Sequence, residues 1–187
     1  MGLALGGCSN VGPAAGELLG VTSVSNDDYA VSYDLQEIRA ATEGGGIPVA
    51  VVGPPLFGLG KDESAHRIVS LMQPAGSRFW PHFSLQETAR PDRPINRVVL
   101  VFDPANDLQA KRVCDGNTNN KPTRPNQIVV FAVLCRGGQP MAQAFGTTGS
   151  TGSADRAVAK LLQQVVLVLF NNASIIEPSH GYPGGLL

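Results

Sequence analysis

The residues best placed for chemistry lie in Gly53-Pro54-Pro55-Leu56-Phe57-Gly58-Leu59-Gly60-Lys61. This loop follows an apolar, strand-like run and precedes helical spacing, the setting in which backbone amides cradle a phosphate. Its spacing departs from a phosphate-binding loop of the Walker A type. Leu59, not Lys, follows Gly58, and Lys61 is followed by Asp62 where Ser or Thr is needed. Asp62 and Glu63 already place negative charge at the start of the following helix, so a structural turn is the expected role. The histidines His66, His82 and His180 lack the paired spacing that metal ligands show, and no metal or other cofactor is expected. Thr148-Gly149-Ser150-Thr151-Gly152 has Thr at the first glycine of a nucleophile elbow. Asp103, Asp107 and Asp115 sit on a polar connection where carboxylates ordinarily serve solubility.

Cys114 and Cys135 are a different kind of candidate. One lies on a long polar connection and the other at the end of an apolar run. In an exported protein they can form a disulfide closing a loop of about 22 residues, which restricts the unfolded chain by roughly 3 kcal/mol. The alternative is a buried free Cys135 with an unrelated, exposed Cys114.

The third cysteine is Cys8, in Leu5-Gly6-Gly7-Cys8. An apolar residue, two small residues and a cysteine resemble a bacterial lipobox. The resemblance implies lipid attachment at Cys8, with residues 1–7 as the end of a signal peptide and residues 8–30 as a tether rich in Gly, Ser, Asn and Ala. A secretory signal has a basic region and roughly 7 to 15 apolar residues before its cleavage site. No Lys or Arg precedes Arg39, so either the true start codon lies upstream or the resemblance is accidental.

The chain has 187 residues, with 14 basic and 15 acidic side chains and a formal charge of −1. That length suits one domain with a real core. Near-neutrality argues against a nucleic-acid surface, which needs a basic stripe to displace counterions. The 22 glycines and 14 prolines point to long connections around a modest core. No run approaches the roughly 20 apolar residues of a membrane span.

The elements follow from hydrophobic period and punctuation. Tyr29 to Tyr33 alternates weakly and is expected to open the fold as a strand, followed by a helical or irregular piece near Leu35 to Ala41. Ile47 to Val52 reads as a buried strand between Gly46 and Gly53-Pro54-Pro55. Asp62 is a candidate N-cap for a helix carrying Ala65, Ile68, Val69 and Met72, which Pro74 stops. Phe79 to Leu85 reads as a short edge strand containing Pro81. Arg97 to Phe102 reads as a central strand, with Val98, Leu100 and Phe102 on one face and Val99 and Val101 on the other. A surface loop over 103–126 follows, then a hairpin from Ile128 to Cys135 through Gly137-Gly138 to Met141 to Phe145. Pro140 places the outgoing strand at an edge, or at least at its own first residue. After a Gly/Thr/Ser connection, Ser153 is a candidate cap for a helix from Ala154, with Val158, Leu161, Val165 and Val168 on one face.

These elements predict an α+β domain over 31–172, a small mixed, mainly antiparallel sheet with two helices packed on one face, and a loose tail over 173–187. Val165 to Phe170 is apolar all round, so it must pack on several sides or meet a partner. Pro140, Met141, Val168, Leu169 and Phe170 are the expected contact residues, because open strand edges and apolar helix ends pair readily.

Taken with Leu134-Cys135-Arg136-Gly137-Gly138 and the following apolar helix, the lipobox-like start is similar to that of small proteobacterial envelope lipoproteins of unassigned activity. The resemblance implies a periplasm-facing, noncatalytic protein, held to the membrane through Cys8 and assembling with another envelope component. Ser9 after the cysteine implies the outer membrane. The competing expectation is a soluble enzyme or small-ligand-binding protein built on the Gly53–Lys61 loop with Asp103.

Overall fold

Val98, Leu100 and Phe102 face one layer of buried side chains while Val99 and Val101 face another, because successive residues of a strand point to opposite sides of a sheet. Their strand is the fourth of a six-stranded mixed sheet in an α+β fold. The computed structural model describes residues 22–30, 32–40, 46–73, 81–86, 96–122, 126–149 and 154–170. Cys8, most of the expected tether, the Ser153 cap and the expected 173–187 tail lie outside those residues.

In chain order the elements are β1 (Ser23–Tyr29), α1 (Leu35–Ala40), β2 (Ile47–Val52), α2 (Lys61–Met72), β3 (Phe83–Leu85), β4 (Asn96–Phe102), α3 (Ala110–Cys114), β5 (Gln127–Arg136), β6 (Gln139–Gly149) and α4 (Ala154–Leu169). The sheet order is β1-β6-β5-β4-β2-β3. The β1, β6, β5 and β4 strands pair antiparallel in succession, whereas β4, β2 and β3 run parallel. The short β3 ends the sheet, as its proline-bearing approach implied. Helix α2 connects the parallel pair β2 and β3, since two parallel neighbours need a crossover.

The larger core lies between the sheet and α1, α2 and α4. Ile38, Ile68, Met72, Leu161, Leu162 and Val165 pack there on Val49, Val98, Leu100 and Leu134, all essentially solvent-free. Burial of each such side chain stabilises by about 1.5–3 kcal/mol. A smaller cluster on the opposite face joins Val113 and Cys114 of α3 to Val99, Val101, Phe131, Val133 and Cys135. The surface loop expected over 103–126 therefore contains a short helix, whose two buried residues tie it to the sheet.

Four expectations need correction. The tether was expected to reach residue 30, yet Ser23–Tyr29 is β1, paired with β6 across a register shift between Ser25 and Asp28. A polar stretch becomes a strand here because β6 offers it an edge. The hydroxyls of Tyr29 and Tyr33 then donate to the carbonyls of Val168 and Leu169, the second at 2.8 Å, supplying partners to the end of α4.

Strand β6 also continues past Phe145 through what the glycines and threonines suggested was a connection. Gly146 lies beneath α4, and a Cβ there would stand 2.6 Å from Leu161 Cδ1. The position thus needs a residue without a side chain, so its glycine marks close packing of helix on strand.

The edge expected at Pro140 is absent, because β6 lies between β1 and β5. Pro140 is tolerated as the second residue of β6, opposite Cys135, where the ladder shifts register. Finally, α2 is preceded by Gly60, which provides no side-chain cap, and Asp62 sits in the first turn instead of capping it.

Candidate functional site

The end of β2 turns sharply at Gly53, whose φ of 124° is a left-handed conformation suited to glycine. A Cβ there would lie 2.7 Å from the Phe102 carbonyl oxygen, so the loop passes directly over the end of β4. The chain returns through Phe57 and Gly58, both with positive φ, into α2. Two amides of this loop are already used: Leu56 N–H donates to Ser64 Oγ at 2.8 Å and Leu59 N–H to the Leu56 carbonyl at 3.2 Å. Ser64 is buried and anchors the loop against the helix.

This arrangement leaves a cleft of about 570 Å³ beside the C-terminal end of β2. Its walls include Val51, Pro54, Pro55, Ala65 and Leu85, with Lys61, Asp62, His66 and Gln86 as polar members. Such a position, outside the carboxyl ends of parallel strands, is where open sheets commonly hold ligands. Lys61, Asp62 and His66 are exposed and make no side-chain hydrogen bonds to one another among the described residues. The cleft has the concavity of a binding site, and among the described residues it holds no assembled acid–base pair. Gln86 Oε1 is buried without a partner among the described residues.

Asp103 does not line this cleft. It is 3% exposed and has φ 49°, a strained value for a non-glycine residue. Its amide donates to the Val129 carbonyl, and its carbonyl accepts from Lys121 N–H. The other two acids of that connection are drawn apart: Asp115 pairs with Lys111 at 2.7 Å and Asp107 approaches Arg112 at 4.0 Å. The three carboxylates form no shared centre. His66 is exposed on α2, His82 is exposed just before β3, and His180 lies outside the described residues.

Cys114 and Cys135 form a disulfide, with Cα atoms 5.6 Å apart and both residues solvent-free. The bond joins α3 to the end of β5, and neither thiol remains as a nucleophile. Next to it lies Arg97, which sequence reading passed over because an arginine at a strand start reads as a solvated side chain. Arg97 is 3% exposed, and its guanidinium donates to the carbonyls of Cys114 and of Gly137, the latter at 3.0 Å. The cation therefore links β4, the end of α3 and the turn between β5 and β6.

The expected contact surface is largely internal. Met141, Leu169 and Phe170 are buried in the main core, while Pro140 and Val168 are half-buried. The helix end is apolar all round because sheet, α2 and β1 enclose it. Leu167 is the exception, 52% exposed on α4.

A second concavity, of about 440 Å³, lies on the α3 side of the sheet between the 104–110 segment and β5 and β6. Phe131 and Phe145 stand opposite each other in its floor. The groove leaves no local signal in the sequence, because the 104–110 segment, Phe131 and Phe145 meet only once the sheet has formed.

No known protein family and no curated protein matches the chain. Among solved structures it is similar to the PelC dodecamer from Paraburkholderia phytofirmans, at 16% identity and a TM-score of 0.41, covering 79% of this chain and 96% of that one.

Proposed function

We propose that this protein is an exported, lipid-anchored, noncatalytic domain that assembles with another component of a bacterial envelope. The observation that carries the reading is the solvent-free Cys114–Cys135 bond. Structural disulfides persist in oxidising compartments such as the periplasm and are uncommon in the cytosol. The lipobox-like Leu5-Gly6-Gly7-Cys8 supports the same compartment independently and supplies the membrane attachment. Among the described residues, Leu167, 52% exposed beside half-buried Val168, is the large apolar side chain that α4 leaves exposed for contact.

Bacteria expressing the gene and fed an alkyne-tagged fatty acid should label the protein, and Cys8→Ser should abolish the label. Absence of label, or label that survives Cys8→Ser, overturns lipid anchoring. Membrane crosslinking should trap a defined complex that Leu167→Glu removes without lowering the thermal stability of the domain. A protein that stays monomeric under crosslinking overturns the assembly reading.

A further inference from the structure

The groove on the α3 side has two differently built walls. Its floor is β5 and β6, where Phe131 and Phe145 are direct cross-strand partners and Gln143 shares their face two residues along β6. The facing wall is formed by Pro104, Leu108 and Ala110 with the side chains of Asn106, Gln109 and Lys121. This wall is braced from within. Ala105 N–H donates to the Asn119 carbonyl at 2.9 Å, Pro104 bridges Asn120, and the disulfide holds the end of α3 to β5. A preformed wall lowers the ordering cost of binding.

Among the described residues, Lys121 is the single formally charged residue of the lining, and its ammonium donates to Asn106 Oδ1 at 2.9 Å. Of the acids on the facing connection, Asp107 approaches Arg112, Asp115 pairs with Lys111, and Asp103 is outside the lining. An apolar floor, amide groups and one cation match a ligand with an apolar ring and one negative charge. The volume falls within the range of small-molecule sites, roughly 300–1,000 Å³.

We propose that this groove binds a small amphiphilic carboxylate, its ring against Phe131 and Phe145 and its carboxylate at Lys121. The site shares no lining residue with the Gly53–Lys61 cleft and does not include Leu167, and the test does not involve lipid attachment, so its failure leaves the anchoring reading intact.

Disulfide-intact, isotope-labelled protein would be titrated by NMR with hydrocinnamate, its neutral amide and phenethylammonium at fixed ionic strength. Hydrocinnamate should give saturable shifts over residues 104–110 and at Lys121, Phe131, Gln143 and Phe145, binding more tightly than the amide and far more tightly than the ammonium. Lys121→Gln should weaken hydrocinnamate about fivefold, the scale of one partly exposed charge pair, and leave the amide unchanged. Phe145→Ala should weaken all three probes. Unsaturable shifts, shifts at the Gly53–Lys61 cleft, equal binding of the amide or ammonium, or an unaffected Lys121→Gln variant would each overturn the proposal.

Discussion

The guanidinium of Arg97 donates to the main-chain carbonyl of Cys114, so a buried cation on the central strand is held by the end of the helix that the disulfide anchors. The same side chain reaches the Gly137 carbonyl at 3.0 Å. One planar fork thus holds together three segments that sequence separates, and a buried charge needs such partners to be tolerated.

Arg97→Met removes the donors and leaves both carbonyls short of a partner. The expected loss is about 2–4 kcal/mol in urea unfolding. Arg97→Lys should recover only part of it, because a single ammonium cannot reproduce the two-pronged geometry. Full stability in the methionine variant would show that the carbonyls find other donors.

Removing the disulfide with Cys114→Ala, Cys135→Ala or both should cost about 3 kcal/mol, from a closed loop of about 22 residues. The double variant should lose little more than either single one, since one bond is broken in every case. Additive losses would indicate that packing of each cysteine, not the bond, dominates.

Two left-handed glycines of the cleft loop should respond differently to alanine. Gly58, φ 68°, has open space where a Cβ would go, so Gly58→Ala should cost about 1–2 kcal/mol of backbone strain alone. Gly53, φ 124°, would also drive its Cβ against the Phe102 carbonyl at 2.7 Å, so Gly53→Ala should cost about 2–4 kcal/mol. Thermal melts of the two variants side by side test the order.

Tyr29→Phe and Tyr33→Phe each remove a hydroxyl that satisfies a carbonyl at the end of α4. Each should cost about 1 kcal/mol. For Tyr29→Phe, hydrogen exchange should rise in β1 and the last turn of α4 together, because the Tyr29 hydroxyl joins the two. Faster exchange in α4 alone would separate β1 from the helix it caps.

The surface ion pair between Arg67 and Asp155, 2.6 Å apart, joins α2 to α4 with both side chains nearly half exposed. Arg67→Ala should change stability by less than about 1 kcal/mol. Leu161→Ala, at a solvent-free position between α4 and the sheet, should cost about 2–5 kcal/mol. Denaturant midpoints measured on the pair of variants decide between charge and packing as the force that holds α4 in place.

Much of the fold was legible from local pattern. Ile47–Val52 appeared as an apolar run between glycines, Val98 to Phe102 as two-faced alternation, and the Gly137-Gly138 turn as a hairpin; each has the expected form. The turn places φ 57° at Gly137, which glycine adopts without penalty. Helices α2 and α4 followed from three- and four-residue spacing. The candidate sites were less legible. Arg97 gave no periodic signal, and the cleft and groove gather residues whose proximity depends on strand order.

By itself the sequence determined β2, α2, β4, the β5–β6 hairpin and α4, the α+β class and the presence of a cysteine pair able to close a loop, because period, turn residues and side-chain type act locally. Tertiary structure alone decided that β1 completes the sheet, that β6 is internal despite Pro140, and that Met141, Leu169 and Phe170 are core. It also placed a cationic side chain beside the disulfide. Those outcomes depend on which edges pair and which faces meet, and such long-range pairings leave no mark on the spacing of neighbouring residues.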